Sequence, residues 1–181
     1  MKRREAVKQL LSGRKNLLVV AGLGSTAWDC TAAGDSPLTF PLWGAMGQAA
    51  MIGLGLALAQ PRRRVLVITG DGEALMGLGA LATIGVQRPA NLTVVVIDNE
   101  RYGETGMQAT HTASGIDLAG VAQACGLKVC AWEAIRGQPG PAFAVAKVAA
   151  EKIPLALPPR EGALLKARFR RALLGPKADA E

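Results

Sequence analysis

Short, unbroken apolar runs alternate along the chain with longer stretches whose apolar residues recur every three or four positions. The unbroken runs predict buried strands at residues 16–21, 65–69, 92–97, 127–131 and 142–148. The periodic stretches predict helices at residues 3–12, 26–33, 45–59, 73–87, 117–125 and 163–174. Buried strands alternating with helices are typical of a parallel sheet covered on both faces. We therefore predict an α/β fold, a three-layer α/β/α domain with a mainly parallel sheet.

The length of the chain, 181 residues, suits one domain with a sizeable core. We expect a single domain over residues 1–181, ending in a basic helical extension at about 160–181. A stretch with three prolines, residues 151–162, precedes the final helix and is expected to be extended.

The formal net charge of +7 first suggests a nucleic-acid partner, but its distribution does not. The basic excess lies in residues 1–15 and 151–181, while residues 16–150 are close to neutral. A nucleic-acid-binding domain instead carries basic residues across one face, with aromatic residues among them. The charge therefore indicates solvated, basic ends.

The cysteines and the N-terminus favour a cytoplasmic protein. Cys30, Cys125 and Cys130 are odd in number and fit neither a disulfide framework nor a zinc or iron–sulfur spacing. The first apolar run is too short for a signal peptide, and the longest apolar stretch, residues 42–59, is interrupted by glycines and a glutamine. We expect no membrane association.

Polar turns that contain glycine follow three of the predicted strands, at residues 22–26, 70–73 and 98–106. In parallel sheets, ligands bind beyond these carboxyl ends. Asp71 lies between two glycines directly after one strand, and Asn99 holds the matching place after the next. Their oxygen atoms suit Mg²⁺, and Gly72 lets a diphosphate approach the backbone beside a helix N-terminus. We therefore predict a magnesium–diphosphate site, completed by a backbone carbonyl of the following turn, diphosphate oxygens and a water.

The spacing of these residues resembles the signature of thiamine diphosphate enzymes, in which an asparagine at a strand end follows Gly-Asp-Gly by about 25 residues. Over most of its length the chain resembles their diphosphate-binding (PP) domain, most closely that of the β subunit of sulfopyruvate and phosphonopyruvate decarboxylases. The resemblance rests on WGAMG, GDGEALMGLGALATIG, NLTVVVIDNERYGETGMQATHT and DLAGVAQACG. It departs from the family at residues 131–141, where a helix before the last strand is shortened, which puts the sheet edge in doubt.

The resemblance implies roles for individual residues. Asp71, Asn99 and the carbonyl of Arg101 would ligate Mg²⁺. The Met46 side chain would wedge between the two cofactor rings, and the Gly44 carbonyl would accept a hydrogen bond from the aminopyrimidine. The remaining expected cofactor contacts are Gly24, Ser25, Thr26, Gly70, Gly72, Glu73, Ala74, Tyr102, Gly103, Glu104 and Thr105.

The resemblance also implies a partner chain. In this family a glutamate on a separate (PYR) domain activates the aminopyrimidine, and one domain of this length does not supply it. We therefore expect the β-type subunit of a split 2-oxo acid decarboxylase, a lyase that is active only as an α/β hetero-oligomer. His111, the single histidine, could orient a substrate carboxylate or transfer a proton.

Three other interpretations remain open. The chain could be half of an acetolactate synthase-like carboligase or of an oxidoreductase that uses the same cofactor. It could also be a cofactor-binding module without catalytic activity. A plain dinucleotide-binding domain is the weakest alternative, because it rests only on the Gly22-x-Gly24 turn.

Overall fold

A six-stranded, fully parallel sheet forms the centre of the computed structural model, which describes residues 1–179. Its strands follow the order β2-β1-β3-β4-β8-β7. Their bounds are β1 Leu18–Ala21, β2 Thr39–Pro41, β3 Val65–Gly70, β4 Leu92–Asp98, β7 Lys128–Val129 and β8 Ala142–Lys147. A separate antiparallel hairpin consists of β5 Arg101–Tyr102 and β6 Gln108–Ala109.

Seven helices cover the two faces of this sheet in the described part of the chain. They are α1 Arg3–Leu11, α2 Ser25–Ala32, α3 Ala49–Ala59, α4 Asp71–Met76, α5 Gly79–Gln87, α6 Leu118–Ala124 and α7 Gly162–Leu174. Short 3-10 turns occupy His111–Ser114, Trp132–Gly137 and Gly175–Asp179. None of the helices is both long enough and apolar enough to cross a membrane within residues 1–179.

Alternate strand residues point to opposite faces of the sheet and divide the core in two. Val20, Val67 and Val94 face the side covered by α3, α5, α6 and α7. Val19, Ile68 and Val95 face the side covered by α1, α2 and the 3-10 turn at Trp132–Gly137. Because both faces are buried, the central strands are mainly apolar, as the sequence predicts.

The predicted α/β/α architecture and its parallel sheet are confirmed, whereas several element boundaries differ. The predicted helix 73–87 is two helices, because Gly77 packs directly on the Gly47 backbone and interrupts it; a Cβ at Gly77 would lie 1.9 Å from the Gly47 carbonyl oxygen. The helix expected from residue 45 begins at Ala49, since Ala45 and Gly47 have positive φ values of 57° and 86°. Strand β2 and the β5–β6 hairpin were not predicted.

The shortened region before the last strand and the C-terminal helix both have defined structure. At residues 131–141, the buried side chains of Trp132 and Ile135 cover the sheet in place of a full helix, and β7 forms its edge beside β8. Helix α7 packs on the domain through the Phe169 ring, which lies 5.5 Å from the Phe40 ring. The predicted extension at about 160–181 includes residues 180–181, which lie outside the described residues.

Candidate active site

Asp71 and Asn99 lie at the same edge of the sheet because β3 and β4 are adjacent and parallel. In their register Gly70 is opposite Ile97, so the residues that follow the two strands extend from neighbouring positions. Asp71 begins α4 and is 2% exposed, and Asn99 is 9% exposed. The sequence prediction that these oxygen-bearing side chains lie together therefore agrees with the geometry.

Two threonines of the loop after the hairpin hold the Asp71 carboxylate. Thr110 donates a hydrogen bond to Oδ2 at 2.6 Å, and Thr112 Oγ1 lies 3.3 Å from the same oxygen. Burial raises the pKa of Asp71, the Thr110 hydrogen bond opposes that shift, and the nearby Asp98 carboxylate adds to it. Such a carboxylate is costly to keep charged unless a cation is bound beside it.

Behind Asp71, the Asp98 carboxylate is bound from three directions. Thr112 donates to its Oδ1 at 2.9 Å, the Glu100 backbone amide donates to the same oxygen at 3.0 Å, and Lys147 Nζ lies 2.8 Å from Oδ2. Lys147 also contacts Glu100 Oε1 at 2.8 Å. Burial would lower the pKa of Lys147, but its hydrogen bonds to the two carboxylates outweigh that effect and raise it. Lys147 therefore neutralises the charge of Asp98 behind Asp71.

The carbonyl group of Arg101 is turned away from the hairpin. The hydrogen bonds on either side of it run from the Thr110 amide to the Glu100 carbonyl and from the Met107 amide to the Tyr102 carbonyl. Asn99 Oδ1 accepts a hydrogen bond from the Arg101 amide at 3.0 Å. The hairpin hydrogen bonds make Arg101 and Ala109 a non-hydrogen-bonded pair of the hairpin, so the Arg101 carbonyl points away from β6. This oxygen therefore remains available as a ligand.

The Glu73 side chain lies inside the protein and joins two of the three turns at the sheet edge. Its Oε2 accepts hydrogen bonds from Thr69 Oγ1 at 2.8 Å and from the Leu23 amide at 3.1 Å. A Cβ at Gly22 would lie 1.9 Å from this oxygen, so the contact requires glycine there. Oε1 is buried without a hydrogen-bond partner in the described residues. Burial raises the pKa of Glu73, and the hydrogen bond from Thr69 opposes that shift.

Most of the predicted cofactor contacts line one cavity at this edge. The expected lining residues found there are Ser25, Thr26, Met46, Gly70, Asp71, Gly72, Glu73, Asn99, Arg101, Tyr102, Gly103, Glu104 and Thr105. Gly24, Gly44 and Ala74 do not line it. His111 is exposed and also lies outside the lining, and its catalytic role stays a prediction. Arg3, Leu23 and Ile97 line the cavity although the sequence did not indicate them.

Side chains of the β5–β6 hairpin and its loop cover Gly72 and Gly24, two of the expected cofactor contacts. The Tyr102 ring lies on Gly72, where a Cβ would be 2.4 Å from Tyr102 Cε1. The Glu104 side chain lies on Gly24, where a Cβ would be 2.7 Å from Glu104 Oε1. Burial raises the pKa of Glu104, and the positive charge of Arg3 lowers it. A carboxylate therefore lies at the N-terminus of α2, a position that favours anions.

Four residues of this edge were not predicted as site residues: Arg3, Thr110, Thr112 and Lys147. Lys147 ends an apolar strand, as Asp98 does, so the rule that placed Asp71 and Asn99 could also have indicated it. Helix α1 precedes a strand of the parallel sheet and runs back along it, which brings Arg3 to the same edge. Nothing in the sequence distinguishes Thr110 and Thr112 from the other polar residues of their loop.

Comparison with known proteins agrees with this geometry. A family model described as the thiamine pyrophosphate enzyme C-terminal TPP binding domain matches residues 25–155. The sulfopyruvate decarboxylase subunit beta of Methanothermobacter thermautotrophicus is 43% identical over 129 residues, 71% of this chain and 69% of that protein. Its counterpart from Methanocaldococcus jannaschii is 40% identical over 136 residues, which cover 74% and 71%.

Two further matches concern larger proteins. The phosphonopyruvate decarboxylase of Streptomyces viridochromogenes is 43% identical over 114 residues, 63% of this chain but 28% of that protein. A solved structure from Mycobacterium smegmatis, described as a thiamin diphosphate-dependent enzyme, superposes with a TM-score of 0.69 at 20% identity. It covers 83% of this chain and 32% of that one. At that identity the structural match shows the fold alone.

Proposed function

Because the chain belongs to the thiamine pyrophosphate enzymes through their C-terminal TPP-binding domain, we propose that it is the β-type subunit of a split 2-oxo acid decarboxylase. Such an enzyme is a thiamine diphosphate-dependent carboxy-lyase. The main support for the site is that Asp71, Asn99 and the Arg101 carbonyl, which points away from β6, follow two adjacent parallel strands. The relatives named as beta subunits favour a decarboxylase that is completed by another chain.

The oxygen atoms of this site fit Mg²⁺ bound together with a diphosphate. Both threonine hydroxyls lie at Oδ2 of Asp71, so Oδ1 would be the metal ligand. Asn99 Oδ1 and the Arg101 carbonyl would be the neutral ligands. No group of three His, Cys, Asp or Glu side chains that could hold a metal occurs among residues 1–179. The remaining oxygens would therefore come from the diphosphate and water.

We propose that the rest of the cavity holds the cofactor. Gly72, Glu73 and Ala74 would offer backbone amides to the diphosphate, and Ser25 and Thr26 would approach it from α2. The Met46 side chain is half-buried in the cavity wall, where it would support the cofactor rings. When bound, thiamine diphosphate supplies a carbon nucleophile and an electron sink for decarboxylation. Tyr102 and Glu104 lie where diphosphate contacts are expected, so their loop must move on binding.

The partner chain would supply a PYR domain with the glutamate that activates the aminopyrimidine. Residues 1–179 form one α/β unit, and the matched beta subunits imply a second subunit. Helices α3, α4 and α5 expose Met51, Leu58, Met76 and Val86 on one side of the sheet. We propose that this apolar face contacts the partner in an α₂β₂ or larger assembly. The free cysteines suit a cytoplasmic location.

The decisive experiment is co-purification of the chain with its native partner, followed by a screen of 2-oxo acids with thiamine diphosphate and Mg²⁺. The expected result is release of carbon dioxide and the corresponding aldehyde by the complex and by neither chain alone. Robust turnover by the isolated chain would contradict the split-site proposal. A ligated or oxidised product without free aldehyde would instead identify a carboligase or an oxidoreductase.

A further inference from the structure

The Glu73 side chain is a buried carboxyl group that lies between the cofactor cavity and the start of α3. The residue is 6% exposed, and its Oε2 accepts hydrogen bonds from Thr69 and from the Leu23 amide. Its Oε1 is also buried and has no hydrogen-bond partner in the part of the chain that the structure describes. A buried carboxylate oxygen is costly unless donors surround it. The groups that face Oε1 therefore matter for the role of this side chain.

The groups on this side of Glu73 belong to the first turn of α3. Burial raises the pKa of Glu73, and nearby donors oppose that shift, the backbone amides of Ala49 and Gly47 among them. These residues and Glu73 line a cavity of about 10 Å³, about the space that one water molecule requires. Gln48, the N-cap of α3, makes no side-chain cap hydrogen bond within residues 1–179. The Glu73 carboxyl therefore replaces a local cap at a helix end that favours negative charge.

The turn that precedes α3 carries part of the wall of the cofactor cavity. Met46 lines the cavity and lies beside Gly47, which has a positive φ of 86°. Two contacts from the α4 side hold this turn, because Gly77 packs on the Gly47 backbone and Glu73 faces the Gly47 amide. The position of Met46 therefore depends on α4, the helix that begins at the proposed metal ligand Asp71.

We propose that Glu73 is a positioning residue, which fixes the Met46 wall relative to the diphosphate end of the cavity at Asp71 and Asn99. This inference rests on the proposed function, in which Met46 supports the cofactor rings. Oε2 joins Glu73 to the turn after β1, and Oε1 faces the turn before α3, so one side chain holds two segments that surround the cofactor. Loss of the Oε1 contact should weaken binding of the rings and spare binding of the diphosphate.

The test compares thiamine diphosphate with inorganic diphosphate, each titrated with Mg²⁺ into the hetero-oligomer in a calorimeter. The measured quantity is the ratio of their dissociation constants. In Glu73→Gln the amide oxygen can keep the two donors of Oε2, which places the NH₂ group against the amides at the start of α3. We expect the affinity for thiamine diphosphate to fall about 10-fold and the affinity for diphosphate to stay within about 2-fold of the wild type.

Thr69→Val is the matched control, because it removes the 2.8 Å hydrogen bond to Oε2 and leaves Oε1 at the start of α3. Its ratio of dissociation constants should equal that of the wild type. A role of Glu73 in stability alone would weaken both ligands equally in Glu73→Gln. That result, or an equal change of the ratio in Thr69→Val, would overturn the proposal.

Met46→Ala tests whether Glu73 acts through the cavity wall. If it does, Glu73→Gln in the Met46→Ala background should change the ratio no further. A second fall as large as the first would show that Glu73 acts through another contact, and the proposal would fail. Sedimentation verifies that each variant assembles with the partner. If Glu73→Gln does not assemble, Glu73→Ala replaces it in both comparisons, with the same expected ratios.

The wild-type complex separates this inference from the function on which it rests. Binding of both ligands, with an unchanged ratio in Glu73→Gln, would overturn the role of Glu73 and leave the proposed function intact. A wild-type complex that binds neither ligand with Mg²⁺ would overturn both. A complex whose ratio changes as expected, but which decarboxylates no 2-oxo acid, would overturn the proposed activity alone.

Discussion

At the scale of single residues, Asp71 illustrates a conflict between function and stability. Its carboxylate is buried, and burial raises its pKa, so in the absence of metal the charge opposes folding. We predict that Asp71→Asn unfolds at the same or a higher temperature than the wild type without metal. The same variant should lose at least about 100-fold in Mg²⁺-dependent cofactor affinity, because the carboxylate proposed as the charged protein ligand of Mg²⁺ would be gone.

Calorimetric binding of thiamine diphosphate with Mg²⁺ to the hetero-oligomer, combined with thermal unfolding of the metal-free chain, checks both parts. Thr110→Val is the informative companion variant, because it removes the 2.6 Å hydrogen bond to Asp71 but keeps the carboxylate. Cofactor affinity that survives in Asp71→Asn would show that the metal site lies elsewhere.

Glu73 should give the stability of the protein a pH dependence of known sign. Burial raises its pKa in the folded chain above the ordinary value of 4.5, so the folded state binds the proton more tightly than the unfolded state. Its contribution to stability is therefore fully present below pH 4.5 and is lost as the pH rises through the folded-state pKa. We predict that the free energy of unfolding of the wild type, relative to Glu73→Gln, decreases from pH 4.5 towards neutral pH.

Urea unfolding of both proteins across that pH range measures the difference in their free energies of unfolding. Because the other titrating groups are the same in both proteins, their effects cancel in this difference. Glu133→Gln, at an exposed position, controls for the loss of one negative charge. A wild-type advantage that grows with rising pH would mean that the Leu23 and Thr69 hydrogen bonds outweigh burial.

At the scale of elements, the strands were predictable and the turns between them less so. Strands β1, β3, β4 and β8 are mainly apolar because both faces of the sheet are covered, and this leaves a signal in the sequence. Strand β2 has three residues and no such run. The break between α4 and α5 depends on a contact between Gly47 and Gly77, which lie thirty positions apart. A periodic pattern of neighbouring residues cannot predict a contact over that distance.

Helix α3 contains a pair of glycines whose substitution should have opposite effects. A Cβ at Gly53 would lie 2.2 Å from Val67 Cγ2 in the sheet, whereas nothing lies within 4 Å of a Cβ at Gly55. Because Val67 is fully buried and cannot yield, Gly53→Ala should destabilise the chain by about 1–3 kcal/mol. Gly55→Ala should stabilise it by about 0.5–1 kcal/mol, since alanine has the higher helix propensity.

Chemical denaturation of the two variants beside the wild type tests the packing of α3 directly. Each variant is the control for the other, because both make the same substitution in one helix. Equal shifts in the same direction would show that α3 is rotated from the orientation described.

At the scale of the whole molecule, the site combines residues that are far apart in sequence because parallel topology brings them to one edge. Asp71 and Asn99 were predictable, since each follows an apolar strand and bears an oxygen. Arg3 and Lys147 come from opposite ends of the chain and reach the edge through a helix and through the last strand. Their contribution depends on the order of strands in the sheet, which the sequence pattern alone does not specify.

The apolar face on α3, α4 and α5 should be covered by the partner chain. Met76 is 68% exposed and Val86 is 78% exposed, and neither supports the core of the domain. We therefore predict that Met76→Glu and Val86→Glu leave the thermal stability of the isolated chain almost unchanged. In the complex each would place an unpaired charge in an apolar contact and weaken association about 10- to 1,000-fold.

Leu164→Glu on α7, where the leucine is 54% exposed, is the matched control and should retain the partner in co-purification and sedimentation measurements. If Leu164→Glu releases the partner while Met76→Glu and Val86→Glu retain it, the partner contacts α7 rather than α3, α4 and α5.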